Sequence, residues 1–350
     1  MRNTASDPSL VDMARRRRPE REGRVGTAHA NPRDAYRDVP LLVQPTWNQE
    51  VAAYFYFGGV SSGAATLGAL AVLFGGQRLR QVAERAPLVA FAAMLACPPL
   101  LIDDLGVPSR FHHMLRVFKP SSPMNLGAWT LTVHGAVSTL LALRQLAIWG
   151  KLPVLSSVLR TMPAQPLSAA GVVPALALGG YTGVLLGTTS VPVWSTSPLL
   201  GGLFMASSLA TGAAAVSLAC TGSDDGSIGE ALAPLNAVLG VADLALLGSY
   251  VATSGVARKT LLREKARLLL AGATAAAATG ITLEVASLTG AGNRRLLSAV
   301  AAGATLLGGA LLRSAVVSAG HDSARDREQT LEATRPTTTA PGWQQAFSQP

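Results

Sequence analysis

The chain has 350 residues, a formal net charge of +9 and a hydrophobic fraction of 49%, which is ordinary for a soluble protein. Charged residues make up only 14% of the chain, and they collect at its two ends and in short clusters between long apolar stretches. From Thr161 to Ser223 there is no charged residue, so this distribution excludes an ordinary soluble globular protein.

Eight apolar stretches are long enough to cross a membrane as helices. A hydrocarbon core about 30 Å thick requires roughly 20 mainly apolar residues, and a helix satisfies its own backbone groups there. The sequence therefore predicts an all-α integral membrane protein. Its eight transmembrane helices are predicted at residues 50–75, 86–102, 125–149, 167–189, 198–220, 230–256, 266–289 and 295–319.

Local sequence features predict how these spans are broken and packed. Cys97-Pro98-Pro99 predicts a kink or an unwound turn at the end of the second span. The segment 191–194 predicts a tight turn at the membrane surface between the fourth and fifth spans. Small residues such as Gly58-Gly59 and Gly201-Gly202 favour close helix packing, and their similar placement indicates two four-helix bundles.

The two ends of the protein are polar. Residues 1–48 contain prolines and many basic residues, which predicts a disordered basic tail that is too polar to bury a core. Residues 321–350 are rich in Thr, Gln and Pro and predict a second disordered tail. The membrane domain is therefore expected to cover residues 49–320.

The protein has few residues that could hold a metal. Two cysteines, Cys97 and Cys220, cannot supply the four thiolates of an iron–sulfur cluster or a zinc site of the usual kind. A membrane-bound b-type haem generally needs two axial ligands, and His134 is the one histidine inside a predicted span. We therefore expect no haem, no iron–sulfur cluster, no metal and no catalytic residue in this chain.

The loop after the second span carries a long motif. It reads Asp104-Leu105-Gly106-Val107-Pro108-Ser109-Arg110-Phe111 and continues with Pro120-Ser121-Ser122-Pro123-Met124-Asn125-Leu126-Gly127-Ala128-Trp129. This resembles the DLGxPxRF…PxSPMxxGxW stretch of NrfD/PsrC-like membrane subunits, the polysulfide-reductase family of quinone-reactive anchors. Residues 54–63, 181–186 and 311–320 resemble the same family in the same order.

The resemblance implies a membrane subunit of a respiratory oxidoreductase. Such a subunit binds a quinone or quinol, either menaquinone or ubiquinone, near one membrane face. It exchanges electrons with a ferredoxin-like iron–sulfur subunit docked there, which in well-studied relatives serves a molybdopterin-type catalytic subunit. Some relatives use a histidine in the first span, which this sequence lacks, so the hydrogen bonding is redistributed or the site is lost.

A quinol site requires hydrogen-bonding groups at the two ring oxygens and a titratable exit for protons. The predicted site combines the start of the first span, the loop motif and the end of the fourth span. Asp104 and Arg110 could instead pair to fix the loop, His112 and His113 could lie at the interface, and Tyr181 could be an interfacial anchor. The candidate quinone-binding residues are Trp47, Asn48, Glu50, Asp104, Arg110, His113 and Tyr181.

Three further ionisable residues, His134, Asp243 and Glu284, lie inside predicted spans. Ionisable groups in a bilayer usually face a bundle interior or a water-filled path, so they form either a proton path or interhelical hydrogen bonds. Arg313 lies near the predicted end of the last span, and we expect its side chain to snorkel to the surface.

Two other functions fit parts of this pattern. Buried Asp243 and Glu284 would suit an ion-coupled secondary transporter, and the missing histidine would suit a purely structural anchor for the iron–sulfur subunit. Basic residues are balanced between the two sets of loops, and only the tails favour cytoplasmic termini in a cell membrane. The positive charge is better explained by this topology and by anionic lipid than by nucleic acid.

Overall fold

The computed structural model describes residues 41–105, 107–152, 156–221, 227–290 and 292–334, which form helices and no β-strand. Short 3-10 helices cover Pro108–Leu115 and Gly255–Ala257. In sequence order the α-helices are α1 (Gln49–Phe74), α2 (Arg80–Met94), α3 (Cys97–Asp103), α4 (Pro123–Ile148), α5 (Ser156–Thr161), α6 (Ala164–Gly187), α7 (Pro192–Ser195), α8 (Leu200–Cys220), α9 (Ser227–Thr253), α10 (Arg258–Leu261), α11 (Glu264–Leu288), α12 (Arg294–Arg325) and α13 (Arg327–Thr334).

The prediction of an all-α, multi-pass membrane protein is confirmed. Eight helical segments of the described residues are long and apolar enough to cross a membrane: α1, α2 with α3, α4, α6, α8, α9, α11 and α12. Seven of them begin within three residues of the predicted start, and the second begins at Arg80 instead of residue 86. We call the side where α1 begins and α12 ends the near face, and the opposite side the far face.

The spans form two four-helix bundles, as predicted. The first bundle contains α1, α2 with α3, α4 and α6, and the second contains α8, α9, α11 and α12. They meet mainly where α1 packs on α8. A Cβ added at Gly63 would lie 2.0 Å from the Ser208 carbonyl oxygen, and one at Gly212 would lie 2.3 Å from the Ala64 nitrogen. Only glycine allows the two helices to approach this closely.

The second span is broken where its prolines predict. Helix α2 ends at Met94 and α3 begins at Cys97, with Pro98 and Pro99 in the first turn of the new helix. Proline is tolerated there because the first N–H groups of a helix have no partner within it. The break confirms the predicted kink and gives the near-face end of this span a separate short helix.

The predicted surface turn at 191–194 is wrong. The segment contains the short helix α7, and the side chains of Val193 and Trp194 are fully buried. Trp194 Nε1 donates to the Val316 carbonyl oxygen at 2.9 Å, and the Tyr250 hydroxyl donates to the Val193 carbonyl oxygen at 2.6 Å. A Cβ at Gly320 would lie 1.8 Å from the Trp194 ring, so this glycine makes room for the indole inside the second bundle.

The polypeptide remains helical beyond the predicted end of the membrane domain. Helix α12 continues to Arg325, and α13 follows as far as Thr334. The buried Gln329 side chain accepts hydrogen bonds from the hydroxyls of Thr260 and Ser323, at 3.0 and 2.9 Å. Residues 321–334 of the predicted disordered tail are therefore helical except for Asp326, whereas predicted disorder at 1–40 and 335–350 lies outside the described residues.

Candidate functional site

The first bundle contains a cleft of about 60 Å³ at the near face, between α1, α3, α4 and α6. It brings together three of the predicted site residues, Trp47, Asp104 and Tyr181. The rest of its wall is almost wholly apolar. Its other lining residues are Val51, Tyr54, Phe55, Leu101, Leu105, Met114, Met124, Gly127, Ala128 and Leu185.

Tyr181 is held in place from α4. Its hydroxyl donates to the carbonyl oxygen of Pro123, at 2.5 Å, in the first turn of that helix. A Cβ added at Gly127 would lie 2.2 Å from the tyrosine ring, so the ring packs directly on the α4 backbone. The hydroxyl proton is engaged by this contact, which leaves the phenol oxygen available as a hydrogen-bond acceptor.

Asp104 directly follows the last residue of α3, at the rim of the cleft, and is half-buried. Burial raises the pKa of its carboxyl group above the usual value, and the nearby carboxylates of Glu50 and Asp103 raise it further. These like charges, rather than the guanidinium of Arg110, act on Asp104. A carboxyl group in this setting accepts a proton more readily than an exposed one.

Trp47 is fixed by the second bundle. Its ring stacks on that of Trp194, with centroids 5.8 Å apart and planes inclined by 28°. Nε2 of His321, near the end of α12, donates to the Trp47 carbonyl oxygen at 2.6 Å. Sequence reasoning missed His321 because the hydrogen bond joins residues 274 positions apart, and the residue was assigned to a tail.

The other predicted quinone-binding residues lie outside the cleft. Asn48, Glu50, Arg110 and His113 are exposed at the near face and do not line it. Sequence reasoning also missed Tyr54, which is 4% exposed and does line the cleft. Val51, Tyr54 and Phe55 all line the cleft and follow the i, i+3, i+4 spacing of one face of α1, and this spacing was the available signal.

The three ionisable residues inside the spans have separate partners. His134 Nε2 lies 2.8 Å from the Ser61 hydroxyl oxygen and 3.4 Å from that of Ser138. Glu284 accepts from the Asn236 amide at 2.8 Å and from the Ser298 hydroxyl at 3.5 Å. Asp243, on α9, is buried and lies beside Ser207 and Arg313. Among the described residues, no residue that contacts one of these three ionisable side chains also contacts another of them.

The expectation that Arg313 snorkels to the surface is wrong. Helix α12 continues twelve residues beyond it, to Arg325, so the side chain starts about 18 Å below the helix end and is too short to reach the surface. Arg313 is 1% exposed, and its guanidinium donates to the hydroxyls of Ser207 and Ser208 at 2.6 and 3.1 Å. It also lies over the Phe204 ring, 5.1 Å from the centroid, and so ties α12 to α8.

Metal ligands do not cluster in the part of the protein that the structure describes. No three His, Cys, Asp or Glu side chains come close enough together there to hold a metal ion. The polar groups of the near-face cleft are a carboxyl, two phenols and an indole, which suit an organic ligand that forms hydrogen bonds better than a metal ion.

Comparison with known proteins identifies the family. A family model described as polysulphide reductase, NrfD, matches residues 42–321. The polysulfide reductase component designated C of Wolinella succinogenes is 31% identical over 181 residues, which are 47% of this chain and 55% of that protein. The selenate reductase component designated C of Mesobacillus selenatarsenatis is 29% identical over 82 residues, which are 23% of this chain and 19% of that protein. These two matches span about half or less of the relatives' own length. The family model, in contrast, covers most of the chain, and the chain therefore belongs to the NrfD family of membrane proteins.

Proposed function

We propose that this chain is the quinone-exchanging membrane subunit of a reductase complex. The observation that carries the proposal is the meeting of Asp104 and Tyr181 beside Trp47 in an otherwise apolar cleft at one membrane face. Small-molecule sites commonly combine apolar walls with a few polar groups that orient the ligand. Family membership and two relatives named as components of reductases support the same role.

The polar groups suit the hydroxyls of a quinol. The Tyr181 hydroxyl already donates to Pro123, so its oxygen can accept a hydrogen bond from one quinol O–H. Asp104, whose pKa is raised by burial, accepts the proton of the other O–H, and the proton of the Tyr181-bound O–H leaves to water at the near face, as two electrons pass from the ring to the iron–sulfur subunit. In the reverse direction, protonated Asp104 and water return the two protons to the reduced quinone. The buried aromatic wall of Tyr54 and Phe55 packs on the ring.

The electrons pass to a ferredoxin-like iron–sulfur subunit that docks on the near face and serves a molybdopterin-type catalytic subunit. Large apolar side chains outside the spans support this docking face. Val43, Val117 and Phe118 are 93%, 64% and 58% exposed there. Exposed apolar groups of this size on a membrane protein's water-facing surface favour contact with a partner protein.

The near face is assigned to the cytoplasmic side of the cell membrane from the basic tails. Far-face arginines weigh less in this assignment because several of them have a structural role. Arg85, Arg144 and Arg160 donate to backbone carbonyls of Ala219, Met162 and Ala147, at or just beyond helix ends. They complete hydrogen bonds that the last turn of a helix leaves open.

The direct test uses the assembled complex under anaerobic conditions. We expect menaquinol or ubiquinol to reduce the iron–sulfur clusters, observed by electron paramagnetic resonance. Chemical cross-links from the iron–sulfur subunit should fall on residues 108–118. Cross-links confined to the far-face loops at 76–86 and 150–166 would invert the docking assignment. A complete complex whose clusters no quinol reduces and no quinone oxidises would support a purely structural anchor instead.

A further inference from the structure

The second bundle contains a polar cluster close to the far face. Glu284 is 2% exposed and lies four residues before the end of α11. The other three helices of the bundle each add one polar residue: Ser217 on α8, Asn236 on α9 and Ser298 on α12. We call these four residues the far-face cluster. It joins all four helices of the bundle through side-chain contacts.

The contacts within the cluster do not balance the charge of its carboxylate. The Asn236 amide donates to one oxygen of Glu284 at 2.8 Å, and the Ser298 hydroxyl donates to the other at 3.5 Å. Both of these partners are neutral, whereas Asp243 in the same bundle has the guanidinium of Arg313 beside it. A carboxylate buried at membrane depth is normally paired, protonated or bound to a cation, because its desolvation is costly.

A buried acceptor without a partner distinguishes between a proton and a cation. Asn236 Oδ1 has no hydrogen-bond partner among the described residues, while Nδ2 of the same amide donates to Ser217 and Glu284. A proton on Glu284 would neutralise the carboxylate but leave this oxygen without a partner. Turning the amide over would put its nitrogen in the same position. A cation that binds this oxygen satisfies it and balances the carboxylate at once.

We propose that the far-face cluster binds one Na⁺ ion between the Glu284 carboxylate and the Asn236 amide oxygen. The two groups are adjacent, because Nδ2 on the same amide carbon lies 2.8 Å from the carboxylate. The hydroxyl oxygens of Ser217 and Ser298 have lone pairs that can complete the shell. Every available ligand is an oxygen atom, which hard cations prefer. Sequence reasoning expected no metal because it considered cysteine and histidine ligands.

Charge and packing favour Na⁺ over other hard cations. A single carboxylate balances one positive charge and leaves the second charge of Mg²⁺ or Ca²⁺ uncompensated. Gly280, one turn before Glu284, lets α11 approach α12 closely: an added Cβ would lie 2.5 Å from the Thr305 hydroxyl oxygen and 3.2 Å from the Ala301 carbonyl oxygen. Such close packing favours Na⁺ over the larger K⁺. The site lies in the other bundle and at the opposite face from the cleft, so it does not depend on the proposed function.

Equilibrium dialysis with radioactive sodium counts the ions bound by the purified, assembled complex in detergent, with choline chloride holding the ionic strength constant. The wild-type complex should bind one more Na⁺ per copy of this chain than the Glu284→Gln complex, because the substitution removes the charge and keeps the size. Ser298→Ala removes one oxygen ligand and should raise the Kd for Na⁺ roughly tenfold. Ser249→Ala is the matched control, since its exposed hydroxyl on α9 donates to Ala245 of the same helix.

Thermal unfolding of the same complexes gives an independent measurement. Na⁺ should raise the Tm of the wild-type and Ser249→Ala complexes, because an ion that binds only the folded protein stabilises it. The Tm of the Glu284→Gln complex should not respond to Na⁺. Equal Na⁺ counts in the wild-type and Glu284→Gln complexes would overturn the proposal. So would a wild-type Tm that rises as the pH falls but does not respond to Na⁺, which would assign a proton to Glu284. Displacement of Na⁺ by an equal concentration of K⁺ would overturn the choice of ion.

Discussion

At the scale of single residues, the cleft presents hydrogen-bond acceptors whose surroundings are fixed by neighbouring elements. Tyr181 is oriented by Pro123 and Gly127, both on α4. Asp104 gains its readiness to take a proton from partial burial and from two neighbouring carboxylates. Neither property can be deduced from the loop motif alone, because each depends on elements that are brought together only by folding.

Replacing Tyr181 with phenylalanine should slow quinol turnover while leaving the complex assembled. The change removes one hydrogen bond, worth about 0.5–1.5 kcal/mol, or roughly two- to tenfold in rate. Steady-state quinol oxidation measures it. Tyr250→Phe is the matched control, because that hydroxyl also donates to a backbone carbonyl but lies in the second bundle. Equal turnover in the Tyr181→Phe and wild-type complexes would remove this residue from the site.

The pH dependence should identify Asp104 as the proton acceptor. The pKa of its carboxyl group is raised, so the group loses its proton at a higher pH than an ordinary aspartate does. Because only the carboxylate form can accept a proton, the turnover rate should rise with pH across that range. Asp104→Asn should abolish this limb of the pH–rate profile. Asp103→Asn removes a like charge and should shift the limb to lower pH. A limb that survives unchanged in Asp104→Asn would assign the proton to another group.

At the scale of elements, the sequence predicts what depends on local pattern. Hydropathy locates the eight spans, and the Pro98-Pro99 pair locates the break between α2 and α3. The sequence does not reveal that α7 is buried. Its Trp194 ring fits into space that Gly320 leaves, and this glycine lies on α12, more than a hundred residues along the chain. The depth of Arg313 was misjudged for a related reason, since the apolar pattern gives the end of a span but not the helix that continues beyond it.

Arg313 and Asp243 should depend on each other for stability. The two buried side chains act on each other electrostatically, and Arg313 also donates to the hydroxyls of Ser207 and Ser208. Arg313→Met leaves the buried Asp243 without this opposite charge and removes these hydrogen bonds, so it should lower the free energy of unfolding by about 3–5 kcal/mol. The double change Arg313→Met with Asp243→Leu should recover part of that loss, because it removes both charges. Thermal unfolding of the purified proteins in detergent measures both. A double variant no more stable than Arg313→Met alone would show that the two side chains are not coupled.

At the scale of the whole molecule, two similar bundles differ at their near-face ends. In the second bundle Trp194 and Tyr250 are fully buried at this end, whereas in the first a cleft remains between Trp47, Asp104 and Tyr181. Trp47 and Trp194 stack where the bundles meet, so the second bundle holds one wall of the cleft in place. The small-residue pattern predicted two bundles, but only the packed structure shows that this cleft lies in the first.

Photoaffinity labelling with a quinone that carries an azide on its ring tests the central claim most directly. In membranes that contain the assembled complex, the label should attach to peptides that hold Trp47–Phe55, Leu101–Ala128 or Tyr181, and excess unlabelled quinone should prevent it. These segments form the cleft of the first bundle. Labelling that unlabelled quinone prevents, but that falls on peptides of α8, α9, α11 or α12, would contradict the account and place the quinone site in the second bundle.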